Sequence, residues 1–331
     1  MPDERSGTKY IGFDLGGTKM LAHVFDGAFK SLGRRRKRTK GNEGAKAGVD
    51  RIIETIRQAM EESKVVDADL HSIGVGCPGA VDLNKGVIVE AANLGWKNVK
   101  LTEILEKEFA CPVVLSNDVD AGAYGEFRFG AAQNARNVLG VFPGTGIGGA
   151  FIYQGQILRG KTSSCMEIGH MQVTPNGKLC GCGRFGCLET EASRLAVSAQ
   201  VAAAVYRGEA PYVQSIAGTD LANIRSGVLA DAIKNGDKAV EKIVRQSAMH
   251  LGLAIANVVL LLNPDVVLLG GGLVEALPDL FVTMVTKVAN EHLMPTYKET
   301  FRVVAAKLGD DATAMGAAAW AAASSKASET N

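Results

Sequence analysis

The chain has almost no net charge. Of its 331 residues, 36 are Lys or Arg and 35 are Asp or Glu, which leaves +1 at neutral pH. No global field therefore draws it to nucleic acid or to an acidic membrane surface. A signal sequence is also missing: the N-terminal MPDERSGTKY is polar and charged, without the apolar core of an export signal. The most apolar stretch, Leu251 to Leu262, contains Gly252 and Asn257. It falls short of the roughly 20 apolar residues that cross a bilayer. These absences point to the cytoplasm. Thiols stay reduced there, so the six cysteines are not expected to form a disulfide framework.

What is present suits a globular protein of one large domain or two. Hydrophobic residues make up 47% and charged residues 21%. Tyr10 to Asp14 and Met20 to Phe25 read as strands joined by Leu-Gly-Gly-Thr18. The basic run Arg34 to Arg38 signals either nucleic acid or a solvated edge strand, and the β pattern flanking it favours the strand. Val49, Ile52, Ile53, Ile56 and Met60 recur at helical spacing. Strands follow at Ser72 to Gly76 and Pro112 to Ser116, with a helix between them over Leu101 to Phe109 and Thr102 as its candidate cap. The pattern then restarts: a strand at Asn137 to Phe142, the turn Gly144-Thr-Gly-Ile-Gly-Gly149, and a strand at Ala150 to Tyr153. Lys238 to Leu262 reads as one long helix. Strands at Asp265 to Leu269 and Phe301 to Ala305 and an alanine-rich helix from Ala312 complete the chain. Two α/β units, each opening on a glycine hairpin, imply a duplicated architecture with a ligand cleft between domains.

Gly144-x-Gly146-x-x-Gly149 matches the dinucleotide fingerprint, with Glu167 about 20 residues on. That fingerprint must open a helix, whereas strands flank this loop. The remaining reading is two glycine hairpins, carrying Thr18 and Thr145, whose backbone N–H groups can approach phosphate closely. Lys19 adds a cation, and Asp14 can orient magnesium through water.

The stretch Cys180-Gly-Cys-Gly-Arg-Phe-Gly-Cys187 has the same glycine spacing and is read differently. With His170 it offers three thiolates and an imidazole, the donor set of a closed structural zinc site. Gly181, Gly183 and Gly186 then serve a tight metal loop. The rival is a reduced, metal-free loop. Cys-x-Cys is poorly placed for an internal disulfide.

Asp14-Leu-Gly-Gly-Thr-Lys19, Cys77-Pro-Gly-Ala-Val-Asp82, Asn117-Asp118, Gly144 to Gly149, Glu167-Ile-Gly-His170 and the cysteine stretch occur in that order. Together they resemble the ROK family (repressors, open reading frames, kinases), and within it the bacterial zinc-containing glucokinases. The resemblance implies an actin-like, hexokinase-like (ribonuclease H-like) α/β fold with a cleft between two domains. A small domain over residues 1–118 would be joined by a C-terminal helix at 311–331, and a large domain over 119–310 would carry the zinc loop.

The implied activity is ATP-dependent phosphorylation of a hexose, glucose above all, at its 6-hydroxyl. Asp118, at a strand end, would be the general base, although local sequence alone also allows an Asx turn capping the next helix. Asn93, Asn117, Glu167, His170 and Glu189 match the family's sugar-contacting positions, and His170 would serve both zinc and sugar. Asp14, Gly16, Gly17, Thr18, Lys19, Gly144, Thr145 and Gly146 would hold phosphates, with Gly271 and Gly272 in an adenosine-side loop. The implied cofactors are ATP, Mg2+ and structural Zn2+. Homodimers or homotetramers are expected, with no nucleic acid or membrane partner.

Within the class, the rival is a kinase for N-acetylmannosamine, fructose or allose. Outside it, the rival is a non-catalytic sugar-sensing regulator. The family's repressors carry an N-terminal helix-turn-helix domain, for which a first hairpin near residue 10 leaves no room. Three positions depart from the family pattern: Met166 where a small residue is common, Pro143 before the second loop, and Asp120 where Asn is usual.

Overall fold

The repeated strand, glycine turn and strand seed two sheets of the same topology. The structure, a computed structural model, describes residues 7–161 and 165–328. The chain divides into two compact units. The first comprises Met1–Gln133, Ile157–Cys165 and Lys307–Asn331, and the second comprises Asn134–Gln156 and Met166–Ala306.

The first unit holds β1 (Lys9–Leu15), β2 (Lys19–Phe25), β3 (Ser31–Arg38), α1 (Ala45–Ser63), β4 (Leu70–Cys77), β5 (Ala80–Asp82), β6 (Val87–Ala91), β7 (Trp96–Val99), α2 (Leu101–Phe109), β8 (Val113–Asn117) and α3 (Asp118–Phe129). Its main sheet has the order β3-β2-β1-β4-β8. The β1–β2 and β2–β3 pairs are antiparallel, and β1–β4 and β4–β8 are parallel. A small antiparallel sheet, β5-β6-β7, was not foreseen.

The second unit runs β9 (Val138–Pro143), β10 (Ile147–Tyr153), β11 (Gln156–Ile157), α4 (Glu189–Ala192), α5 (Arg194–Tyr206), α6 (Pro211–Ile216), α7 (Ser226–Lys234), α8 (Lys238–Leu262), β12 (Val266–Leu269), α9 (Gly272–Ala276), α10 (Pro278–Glu291) and β13 (Arg302–Ala305). Its order, β11-β10-β9-β12-β13, repeats that of the first sheet strand for strand. The last helix, α11 (Ala312–Ser328), belongs to the first unit.

Each core follows from pattern. Ile11, Phe13 and Leu15 of β1 are fully buried, as are Val266 to Leu269 of β12 to within 1%. Central parallel strands covered on both faces read as unbroken apolar runs. In α1, Val49, Ile52, Ile56 and Met60 are buried, the stripe that the helical spacing predicts. Thr102 does not cap α2: Lys100 occupies that position, and Thr102 lies inside the helix.

Helix α8 has the bounds that its periodicity suggests, and it stops at Asn263, whose φ of 43° leaves the helix just before Pro264. Among the described residues it is the one helix long and apolar enough to cross a membrane. Its Val240, Val244, Leu251, Ile255 and Val259 are instead buried in the second unit's core. The basic run forms β3, an edge strand. Its charges pair with carboxylates: Arg34 with Asp311, Arg35 with Glu62, Arg36 with Asp310 and Lys37 with Glu54.

The first compact unit runs on past residue 118 to Gln133 and takes in Ile157–Cys165. The reason is packing. Helix α3 lies along α11, and α11 lies on β1 and β4. The approach is so close that a Cβ on Gly12 would sit 1.8 Å from the Ala314 carbonyl oxygen. An alanine-rich helix over a glycine-bearing strand is the composition such contact requires.

Glu126 of α3 secures the return of the chain. It is fully buried. One carboxylate oxygen accepts the N–H groups of Lys307 and Leu308 at 2.7 and 2.6 Å, and the other accepts that of Ala131 at 2.7 Å. Replacing Glu126 by Ala strands three donors, each worth about 1–3 kcal/mol when buried without a partner. Glu126→Ala is expected to lower unfolding free energy by about 3 kcal/mol or more in urea titration. A loss under about 1 kcal/mol would contradict this role.

Candidate active site and metal centre

The first glycine hairpin joins β1 to β2, and Asp14 pairs with Leu21 just below it. Thr39 ties the hairpin down. Its N–H donates to Thr18 O at 2.9 Å and its hydroxyl to Gly16 O at 2.6 Å. Thr39 is fully buried, and no sequence motif marked it. Thr18 and Lys19 are left exposed on the hairpin. The Asn93 side chain lies against Gly17: a Cβ there would be 3.1 Å from the Asn93 amide nitrogen.

Asn117 and Asp118 divide two tasks. Asn117 is the N-cap of α3, its side-chain oxygen accepting the N–H groups of Val119 at 2.9 Å and Asp120 at 3.4 Å. The Asx-turn reading therefore belongs to Asn117. Asp118 is the first helical residue and half-buried, with one carboxylate oxygen on the Val119 N–H at 2.9 Å. Burial pushes its carboxyl up to about 6, partly offset by backbone hydrogen bonds. Asp14 is pushed up to about 7 by burial and by the charges of Asp118 and Asp310, against the pull of Arg36. Two half-buried carboxylates, one raised in part by the charge of the other, suit a cation or a proton-transfer role.

The second glycine hairpin joins β9 to β10 as an antiparallel pair. Strand–turn–strand geometry excludes the dinucleotide fingerprint, which must open a helix. Three contacts hold the loop. Glu189 accepts the Ile147 N–H at 2.9 Å. Arg194 donates its backbone N–H to Gly144 O at 2.9 Å and a guanidinium N–H to Thr145 Oγ1 at 3.1 Å. A Cβ on Gly146 would meet the Glu189 carboxylate at 2.3 Å, so that side chain would have to shift. Gly271, at φ 82°, packs on the backbone of Pro143, and Gly272 begins α9. Beside this loop lies a cavity of about 880 Å3, with Arg194, Arg225, Ser226, Gly272 and Glu275 in its wall. Sequence reading missed Arg194, Arg225 and Ser226, because no local pattern announces a contact made across a fold.

Glu167, exposed, precedes the short helical turn Ile168–His170. Met166 has φ 58°, a left-handed conformation that side chains rarely adopt. His170, Cys180, Cys182 and Cys187 bring their ligand atoms within 4.8 Å of one another. His170 Nδ1 lies 3.6 Å from Cys180 Sγ, and Cys182 Sγ lies 3.7 Å from Cys187 Sγ. Tetrahedral zinc with ordinary bond lengths needs S–N and S–S edges of about 3.6 and 3.8 Å, so the donor set fits that ion.

No disulfide joins cysteines among the described residues. Burial, with the neighbouring Cys182 and Cys180 thiols, pushes the Cys187 thiol up to about 11. A bound cation reverses that preference by favouring thiolate. The turn is closed by Cys180 N–H to Arg184 O at 2.8 Å, with Gly183 and Gly186 at positive φ. Gly181 has neither positive φ nor a close neighbour, so the loop does not require it. Lys178, close to the cluster in sequence, is engaged by Glu191 at 2.9 Å.

The chain matches the ROK family over residues 10–324. It belongs to that family. It is 34% identical to a glucokinase of Thermotoga maritima over 312 residues, covering 94% of this chain and 96% of that one. A ROK glucokinase of Streptomyces griseus, crystallised with glucose and AMPPNP, is 31% identical with a TM-score of 0.80. The likeness covers 95% of this chain and 99% of that one. ROK members of another kind are similar too: the Escherichia coli DNA-binding transcriptional repressor Mlc is 31% identical over 271 residues, or 82% of this chain and 65% of the repressor. The paired α/β units are thus the actin-like, hexokinase-like fold of ROK glucokinases.

If the cysteine loop is a structural zinc site, protein purified without chelator carries about one zinc per chain, and Cys182→Ala loses it. Elemental analysis of both proteins checks this. Wild-type protein with well under one zinc would contradict it.

Proposed function

We propose that this chain phosphorylates the 6-hydroxyl of a hexose, glucose first, with ATP as donor. The support is likeness to glucokinases along nearly the whole chain, together with one observation that carries the chemistry. Asp118 is a half-buried carboxylate at the start of α3, raised to about 6, so at neutral pH it is ionised yet still basic enough to take a proton.

In this reading the sugar 6-oxygen attacks the γ-phosphorus of ATP. Its proton passes to Asp118, and the bond from phosphorus to the ADP oxygen breaks. Magnesium, when bound with the nucleotide, supplies charge neutralisation at the phosphates, and Asp14 would hold it through water. The hairpins at Gly16, Gly17, Thr18 and Lys19 and at Gly144, Thr145 and Gly146 bind phosphate oxygens. Gly271 and Gly272 line the nucleoside side.

Asn93, Asn117, Glu167, His170 and Glu189 bind the sugar. Because Asn117 Oδ1 serves the helix cap, Asn117 brings its amide N–H groups. Glu189 has one oxygen on Ile147, so it brings the other. His170 holds zinc through Nδ1, which leaves Nε2 for a hydroxyl and fixes its tautomer. Zinc takes no part in the transfer, since four protein ligands leave no open position.

We place the enzyme in the cytoplasm as a homodimer or homotetramer without a nucleic-acid partner. The carboxylates paired with Arg34, Arg35, Arg36 and Lys37 support the last point.

Asp118→Asn is expected to lower kcat by about 10²–10⁴-fold while sugar binding, read by calorimetry, stays near wild type. Near-normal turnover would exclude Asp118 as the base. The sign of the pH effect follows from the raised carboxyl. The working form is ionised, so kcat/KM for the sugar is full well above pH 6 and falls as pH drops through about 6. A flat profile between about pH 5 and 7 would contradict it.

A further inference from the structure

We propose that Arg194 binds the diphosphate of the donor nucleotide, the part that is not transferred, at the edge of the 880 Å3 cavity of the second unit. This rests on the kinase reading above and names a residue that the reading does not require.

Arg194 opens α5 and is fixed at both ends to the second glycine hairpin. Its backbone N–H donates to Gly144 O at 2.9 Å, and its Nη2 donates to Thr145 Oγ1 at 3.1 Å. A guanidinium has five N–H donors, and the Thr145 hydroxyl engages one. Among the described residues no carboxylate lies within ion-pair distance of Arg194, although Arg207 and Arg245 in the same unit each pair with a glutamate. A cation held in place without its own anion, in a cavity wall, is built for an incoming one.

The Thr145 oxygen accepts from Arg194, which leaves its own O–H as a second donor. Arg225 stands in the same wall, its Nε on Ala222 O at 3.0 Å and likewise without a paired carboxylate. Glu275 is the one acidic residue there, so the lining is net positive.

The rest of the wall decides the class of anion. Leu195, Leu221, Ala222 and Ala276 are apolar, and the volume suits a nucleoside-sized ligand. A phosphate attached to a flat, partly apolar group fits both halves of this lining. The geometry places the phosphates at the Arg194 and Thr145 end, next to the glycine hairpin, and the nucleoside toward Leu221 and Ala276. An alternative role, bracing the hairpin without touching ligand, uses the same hydrogen bonds and must be separated by experiment.

Calorimetric titration of wild type, Arg194→Gln and Arg194→Lys with ADP, adenosine and glucose does so. Loss of a charge-assisted contact should weaken ADP by about tenfold or more in Arg194→Gln, with adenosine and glucose changed by about twofold at most. Arg194→Lys should recover part of the ADP affinity, because it restores the charge but not the planar fork. Equal losses for ADP and adenosine would make Arg194 a brace and overturn the proposal, as would unchanged ADP affinity in Arg194→Gln. Wild-type protein that binds no adenine nucleotide and transfers no phosphate would defeat the kinase reading itself, a result distinct from either.

Discussion

One carboxylate, that of Glu189, connects most of what is functional in the second unit. One oxygen accepts the Ile147 N–H at 2.9 Å, and the other lies 3.7 Å from Cys180 Sγ. The carboxylate thus holds the glycine hairpin by a hydrogen bond and borders the cysteine cluster. The chain around it continues the pattern. Cys187, two residues before, is a metal-ligand candidate. Ser193 caps α5 through the Ala196 N–H at 3.1 Å, and Arg194 takes up Gly144 and Thr145. A segment of eight residues thus ties metal, hairpin and cavity together. Zinc without an open coordination site then makes physical sense as an anchor for geometry.

The two units share a sheet order but secure their glycine hairpins differently. In the first, Thr39 holds the turn through backbone and hydroxyl, itself braced by Arg51 on the Thr39 carbonyl at 2.6 Å. In the second, the work falls to Glu189 and Arg194. The first unit also carries the two raised carboxylates, Asp14 and Asp118. The second carries the soft ligands and the cavity. The same sheet order thus occurs twice, with distinct chemistry at the same kind of turn in each unit.

Local pattern made much of this legible. Alternation and glycine turns marked β1, β2, β9 and β10, helical periodicity marked α1 and α8, and ligand type and spacing marked the metal cluster. What stayed hidden depends on partners far along the chain. The sheet β5-β6-β7 is made of strands only three to five residues long, too short to carry a period. Thr39 and Arg194 look ordinary until the fold brings a carbonyl or hydroxyl to them. The first unit runs on past residue 118 because α3 packs against α11, a contact spanning nearly 200 residues of sequence, as Asp118 with Thr313 illustrates. Asn117 and Asp118 were both read as functional, and only the structure separates the helix cap from the carboxylate of the first helical residue.

The substrate is the claim on which the rest converges, and it can be measured directly. Initial rates with ATP across a panel of hexoses and N-acetylhexosamines, with the product identified by its phosphate position, test it in one experiment. The account predicts that glucose has the highest kcat/KM and yields the 6-phosphate. Highest activity on an N-acetylhexosamine, phosphorylation at another hydroxyl, or no transfer to any sugar would contradict it.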